Sequence, residues 1–483
     1  FLNPMLFRKL ELYLRISGFL ISISVAFRSP AKAFIQNKLE MDTKFRSCTR
    51  KDATSLSLPP PITSDVPGTW AFDTMSRRIV ADILPRIIED NSDELTQPSS
   101  PLRSECLLQL RDLESSLLCG KNGYLRGLAD KGPDLILWDK ILASIPDDER
   151  NWLNAPWVVT EFYFYRRIVE AFKYFETGYD MFAKQKQAGL RDALPFVNDV
   201  AEHLISLLGA TNIDVGIPLE MAVFTSLWGN KMDLSLWPSA SLSSSGSGDN
   251  TDRISVGDNM SKIRSFILDD QTDDVVRLLR SFVQKKPLST EQFEVGIVVD
   301  NAGYELVSDL VLAYCLLATQ AADTVTLHTK AHPTFVSDAM NKDVLETIAE
   351  LQNSSLEATA QLGKLLAEAV ESGKIKLVED LFWCQPTPFW SLPVTVAEKL
   401  SSSKLIFVKG DANYRRLLGD RHWPLTAPAR EVLSYWDQPV CALRTFKAEL
   451  GCGVSEVDQQ RALEMDSKWM VSGKWGVVQL AGV

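Results

Sequence analysis

The hydrophobic period of the chain changes at one place, and that change limits what it can fold into. After residue 253, short apolar runs such as "VGIVVD", "TVTLHT", "KIKLVED" and "KLIFVKGD" alternate with helical stretches such as "ETIAELQNSSLEATAQLGKLLAEAVES". Runs that are apolar at every position are strands buried on both faces, and helices between such strands return the chain so that the next strand lies parallel. The expected fold class is therefore α/β with a mostly parallel sheet. Before residue 239, apolar residues instead recur at three and four positions. They do so in "GTWAFDTMSRRIVADILPRIIED", "LRSECLLQLRDLESSLL", "LILWDKILASI", "WVVTEFYFYRRIVEAFKYFETGYDMFAKQK" and "ALPFVNDVAEHLISLLG", which read as amphipathic helices. Asp73 or Thr74 is the expected cap of the first of them.

Between the two patterns lies "SASLSSSGSGDNTDR", Ser239 to Arg253, whose Ser and Gly content gives high chain entropy and little to bury. With 483 residues, two or three domains are expected. The division is a leader at 1–54, a helical domain at 55–238, a flexible insertion at 239–255 and an α/β domain at 256–483. The sequence begins at Phe1 and passes Arg8, Lys9 and Arg15 into the apolar "ISGFLISISVAF", followed at Met41 by "MDTKF". This apolar stretch falls short of the roughly 20 residues a bilayer span needs. Residues 1–40 read either as a transit-like leader or as translation from upstream of the true start.

A net charge of -11 argues against general affinity for phosphate backbones, so no nucleic-acid partner is expected, and no membrane partner either. The seven cysteines are scattered with no CxxC pair, which suits a reducing compartment. The expected location is the cytoplasm, with the nucleus and, through the N-terminal segment, an organelle left open. Only His203, His328, His332 and His422 are present, none closely paired, so a metal would have to sit on oxygen ligands.

In an open α/β sheet, ligands bind beyond the carboxyl ends of the strands. Asp300 and Asn301 follow "VGIVV", Asp338 lies in the segment after "TVTLHTK", and Lys409, Gly410, Asp411, Ala412, Asn413, Tyr414 and Arg415 follow "KLIFV". Two aspartates and an amide oxygen suit a hard divalent cation. Lys409, Arg415 and, in "LRTFK", Arg444 and Lys447 would surround a phosphoryl group with positive charge. Each residue also has a plain structural reading. Asp300 and Asn301 would serve as a capped turn, Asp338 as a helix cap, Glu305 and Asp309 as a solvated helix face, and "KGDANYR" as a charged turn. In "EFYFYRRI", Arg166 and Arg167 read as solvated arginines beside an aromatic face. In "LWGNKMDLSLW", Asn230, Asp233 and Ser235 read as a helix end and turn.

Taken together, "VVDNAGYELVSDLVLA", "FVSD", "FVKGDANYRRLLGDRHWP", "LRTFK" and "LWGNKMDLSLW" resemble the damage-control phosphatase or protein-glutamate O-methyltransferase family, formerly domain of unknown function 89. The likeness is to its third subfamily, marked by an Arg-Thr-x-Lys motif, and it spans roughly residues 55 to 475. The resemblance implies a helical N-terminal domain packed on a Rossmann-like α/β domain. It further implies a divalent metal, manganese, cobalt or nickel with magnesium also open, held by Asp300, Asn301 and Asp338. By the same resemblance Asp300, Asn301, Glu305, Asp411, Ala412, Asn413, Tyr414, Arg415 and Lys447 match substrate positions. Asp300, Asn301, Asp338 and Lys447 match catalytic ones. The implied activity is hydrolysis of small sugar phosphates such as fructose 1-phosphate and fructose 6-phosphate, by attack of water or of an aspartate carboxylate. The alternative is S-adenosylmethionine-dependent methylation of protein glutamates, against which stands the lack of a GxGxG turn. The oligomeric state is left open.

Overall fold

Seven strands form one sheet in the order β1-β7-β6-β5-β2-β3-β4. They are β1 (Ile267–Asp270), β2 (Glu294–Val298), β3 (Thr324–Lys330), β4 (Ile375–Asp380), β5 (Ser403–Lys409), β6 (Val440–Thr445) and β7 (Gly476–Ala481). Every neighbouring pair is parallel except β6 and β7. The computed structural model describes residues 57–96, 103–210, 213–229, 261–286 and 290–483. The expected leader and Ser/Gly insertion, together with Asn230, Asp233 and Ser235, lie outside the described residues.

The chain builds β2, β3 and β4 outward in one direction and then returns to lay β5 on the other side of β2. That reversal opens a crevice between the carboxyl ends of β2 and β5, the place where open α/β sheets bind ligands. The α/β expectation is met, with helices on both faces. Alternate residues along β2 and β5 point to opposite sides, so Val298, Ile406 and Val408 join one apolar core while Val295, Ile297, Leu405 and Phe407 join the other.

The described residues belong to one compact unit, and the helices before residue 229 share both of its cores. Ile62 to Phe182 contribute to the first core, and the Ala183–Gly209 and Gly216–Trp228 helices to the second. No helix among the described residues is long and apolar enough to cross a membrane.

Several local expectations are corrected. The first helix begins at Trp70, capped by Thr69, whose hydroxyl accepts from the Phe72 N–H, so Asp73 and Thr74 lie inside the helical run. Thr74–Ile83 then winds as a π-helix. The helical stretch around residues 346–372 is two helices, Asn341–Gln352 and Glu357–Glu371, broken between them. Arg166 and Arg167 are buried rather than solvated. Arg166 binds Asp130 and Asp134, and Arg167 pairs with Asp112 and Glu170, so the charges are neutralised inside the helical layer.

Candidate active site at the switch point of the sheet

Past the end of β2 the backbone keeps extended pairing for a few more residues. The Val299 N–H donates to the His328 carbonyl, Ala339 N–H to the Asp300 carbonyl (2.8 Å), and Ala302 N–H to the Ser337 carbonyl (2.6 Å). Asn301 and Asp338 are thereby paired in a short antiparallel bridge. The loop after β3 is stitched across the end of β2, and this brings residues 37 positions apart in sequence to one point. Its path passes through Phe335 and Val336 at φ 48° and 66°, a left-handed conformation that costs a β-branched residue of order 1–3 kcal/mol. Phe335 is pinned there by Phe162 and Tyr165, each with ring centroids at 4.7 Å.

Asp300 is 5% exposed. Its Oδ2 accepts from Asn301 Nδ2 at 3.0 Å, and its Oδ1 is buried with no partner. Burial, and then the charges of Asp338 and Glu305, hold its pKa well above the carboxylate range, against the pull of Lys330 and Lys447. Asp338 is also buried, and its pKa is raised by burial against the opposing charges of Lys330, whose Nζ lies 2.8 Å from Oδ2, and Lys186. The Asn301 amide is oriented from both ends: Nδ2 donates to Glu305 Oε2 at 2.7 Å, and Oδ1 accepts from Ser337 Oγ at 2.6 Å. Among the described residues no three His, Cys, Asp or Glu side chains form a metal cage. The two carboxylates, with Asp300 Oδ1 orphaned, are donors that fit a hard divalent cation, while Asn301 here turns its Nδ2 to Asp300 and its oxygen to Ser337.

Gly410, at φ 80°, completes the wall. A Cβ at this position would lie 1.9 Å from Asp300 Oδ2, so only glycine lets the end of β5 approach the carboxylate. Gly410→Ala is expected to displace Asp300, lower stability by about 1–3 kcal/mol and abolish any rise in melting temperature that manganese gives the wild type. Melting curves with and without added manganese check this, and a wild-type metal response in the variant would refute it.

Most of the expected basic residues are committed elsewhere. Lys409, buried, binds the Ser226 carbonyl and lies 3.2 Å from Asp309 and 3.9 Å from Glu305. Arg415 pairs with Asp420 and Glu161 and stacks on Trp157. Arg444 donates to Asp411 Oδ1 (2.8 Å) and to the carbonyls of Leu450 (2.7 Å) and Ala448 (3.0 Å). Arg444 thus clamps the turn that carries Lys447. Lys447 itself, partly buried, makes no side-chain hydrogen bond or ion pair among the described residues, and its charge acts on Asp300.

Two substrate positions carried over by resemblance look inward. Tyr414 is fully buried and donates to Gln479 at 2.8 Å, and Arg415 is held by its two acids. Asn413 ties the strand ends together, donating to the Val299 and Lys409 carbonyls, and its Oδ1 is left without a partner. Asp411 and Ala412 open the Asp411–Leu417 helix. Glu305 and Asp309 are both buried, which replaces the solvated-face reading. Asp338 does not cap the following helix, whose N-cap is Met340; the Asp343 carboxylate in its first turn accepts from the Met340 N–H. Sequence reasoning passes over Lys330, although a lysine closing an apolar strand is a visible signal, and Ser337, which stands beside Asp338. A cleft of about 430 Å3, lined in part by Lys186, Gly303, Val336, Glu305 and Ser337, reaches two of the three partners of the Asn301 amide.

Fold and site together define an open α/β protein that gathers buried acids at its topological switch point, beside a lysine uncommitted among the described residues. The chain belongs to the family of the damage-control phosphatase ARMT1-like domain, whose model matches residues 78–463. It is 30% identical over 436 residues to the mouse (Mus musculus) protein named damage-control phosphatase ARMT1, covering 86% of this chain and 97% of that one. It is 28% identical over 441 residues to the human (Homo sapiens) protein of the same name, with the same coverage. A solved structure of a DUF89 family protein from Pyrococcus horikoshii aligns at 15% identity with a TM-score of 0.40, covering 79% of this chain and 91% of that one.

Proposed function

We propose that this chain is a metal-dependent phosphomonoester hydrolase acting on small sugar phosphates such as fructose 1-phosphate and fructose 6-phosphate. The observation that carries the reading is the placing together of buried Asp300, with one oxygen orphaned, and Asp338 near Lys447, which makes no side-chain hydrogen bond or ion pair among the described residues. The names of the mouse and human relatives agree with phosphatase chemistry. Asp300, Asn301 and Asp338 would hold manganese, cobalt, nickel or magnesium, which when bound supplies Lewis acidity toward a phosphoryl oxygen and a more acidic water.

The protein's own groups do the positioning. Gly410 sets the depth of Asp300, Lys330 orients Asp338, and Glu305 with Ser337 fixes which end of the Asn301 amide faces the acids. Lys447 offers its charge to phosphoryl oxygens as the P–O bond breaks, and Arg444 fixes the turn from which it reaches. The cleft beside Asn301 has the size of a small-molecule site.

Protein stripped of metal and resupplied with manganese, cobalt, nickel or magnesium is expected to release inorganic phosphate from fructose 1-phosphate. Absence of release with all four metals overturns the reading. Transfer of label from S-adenosylmethionine to protein glutamates, in the same preparation and without phosphate release, would instead establish the methyltransferase.

A further inference from the structure

In the sheet, β2 lies between β5 and β3. The Trp157–Ala171 helix touches the segments that leave both of these neighbours. Glu161 pairs with Arg415, just beyond β5, while Phe162 and Tyr165 pack on Phe335, in the loop beyond β3. The helix therefore passes over the end of β2, where Asp300 sits. Glu161 and Tyr165, four residues apart, share one face of it.

Tyr165 is 4% exposed, its ring held by Phe164, Phe182 and Phe335. Other buried tyrosines satisfy their hydroxyls: Tyr163 donates to the Arg126 carbonyl, Tyr414 to Gln479 and Tyr435 to the Leu417 carbonyl. The Tyr165 hydroxyl has no hydrogen-bond partner among the described residues. It is not sealed from solvent, unlike the orphaned Asp300 Oδ1, and so stays open to a partner brought by a ligand. Burial, with the charges of Glu161 and Asp338, raises its pKa, which keeps it a neutral donor at working pH. A neutral donor of this kind suits a sugar hydroxyl. The phosphate end has Lys447 to meet it.

We propose that Tyr165 donates a hydrogen bond to a hydroxyl of the bound sugar phosphate and so selects sugar phosphates over phosphomonoesters that lack hydroxyls. The proposal rests on the phosphatase reading above. It makes Tyr165 a substrate-contacting residue contributed by the helical layer, far in sequence from every motif of the site.

Tyr165→Phe keeps the ring and its packing. In metal-loaded protein, the ratio of kcat/KM for fructose 1-phosphate to kcat/KM for p-nitrophenyl phosphate is expected to fall about tenfold, the effect of roughly 1.4 kcal/mol. The ligand-free melting temperature is expected not to fall, as it would if the hydroxyl served the fold. An unchanged ratio overturns the proposal. If wild-type protein hydrolyses neither compound, the phosphatase reading fails, and the contact is then judged by the rise in melting temperature that fructose 1-phosphate induces. A rise in wild type that shrinks in Tyr165→Phe supports the contact; equal rises, or none in wild type, overturn it.

Discussion

Asp300→Asn is expected to raise the melting temperature of the metal-free protein while removing its catalytic activity. The two effects have opposite signs because one carboxylate serves two states. Without a cation, Asp300 is a buried acid beside Asp338 and Glu305, with an oxygen that nothing satisfies. Holding that charge in the fold opposes folding, and an amide of the same size removes it without opening a gap against Gly410. A gain of about 1 kcal/mol, or roughly 1 °C in a chain of this size, is expected. In the metal site proposed above, the same carboxylate is a ligand. Partners that only orient ligands already cost about 10–100-fold when removed, so kcat/KM for fructose 1-phosphate should fall by more than about 100-fold. The melting-temperature rise produced by manganese in wild type should vanish, because a ligand stabilises only the state that binds it. Differential scanning with and without metal, beside a phosphate-release assay, reads all three. A lower metal-free melting temperature combined with an intact metal response would show that Asp300 is a structural turn residue.

The turn is the plainer reading of Asp300 and Asn301 from sequence; the fold adds that both stand beside Asp338, across the bridge that joins the ends of β2 and β3. The strands β2 to β5 are legible because burial on both faces leaves runs of apolar residues with no helical spacing. The acids at their ends are legible because strand-end placement comes with the sheet. β6 is harder to see: "VCALRT" contains Arg444, and only the carboxylate of Asp411 and two carbonyls make its burial tolerable. The state of the other cations is hidden for the same reason. Arg415 is neutralised by Glu161, 254 positions away, and Lys409 by groups that include the Ser226 carbonyl, 183 positions away. Charge is local in sequence, but its compensation is a property of the fold. Tyr165 is hidden differently, inside "EFYFYRRI", where an aromatic run reads as core and nothing marks the one hydroxyl without a partner.

Lys447→Met separates the chemistry from the metal. Among the basic residues gathered near the strand ends, Lys409, Arg415 and Arg444 each have acids or carbonyls to satisfy them, and Lys447 has none among the described residues. Its charge is therefore available for phosphoryl oxygens, and a preorganised charge of that kind is worth about 100- to 1,000-fold in kcat. The loss should fall on phosphate release and leave metal binding intact, since a lysine beside Asp300 competes with a cation for the same carboxylate. The manganese-induced rise in melting temperature is accordingly expected to stay the same or grow, in contrast to Asp300→Asn. Arg415→Met supplies the opposite control. It strands Glu161 and Asp420 without their partner, so its effect should appear first in the metal-free melting temperature, as buried acids left unpaired cost about 3–5 kcal/mol. If Lys447→Met behaved like Arg415→Met, the lysine would be a structural ion. If it lost its metal response, the cation would have to sit on a ligand set other than Asp300, Asn301 and Asp338.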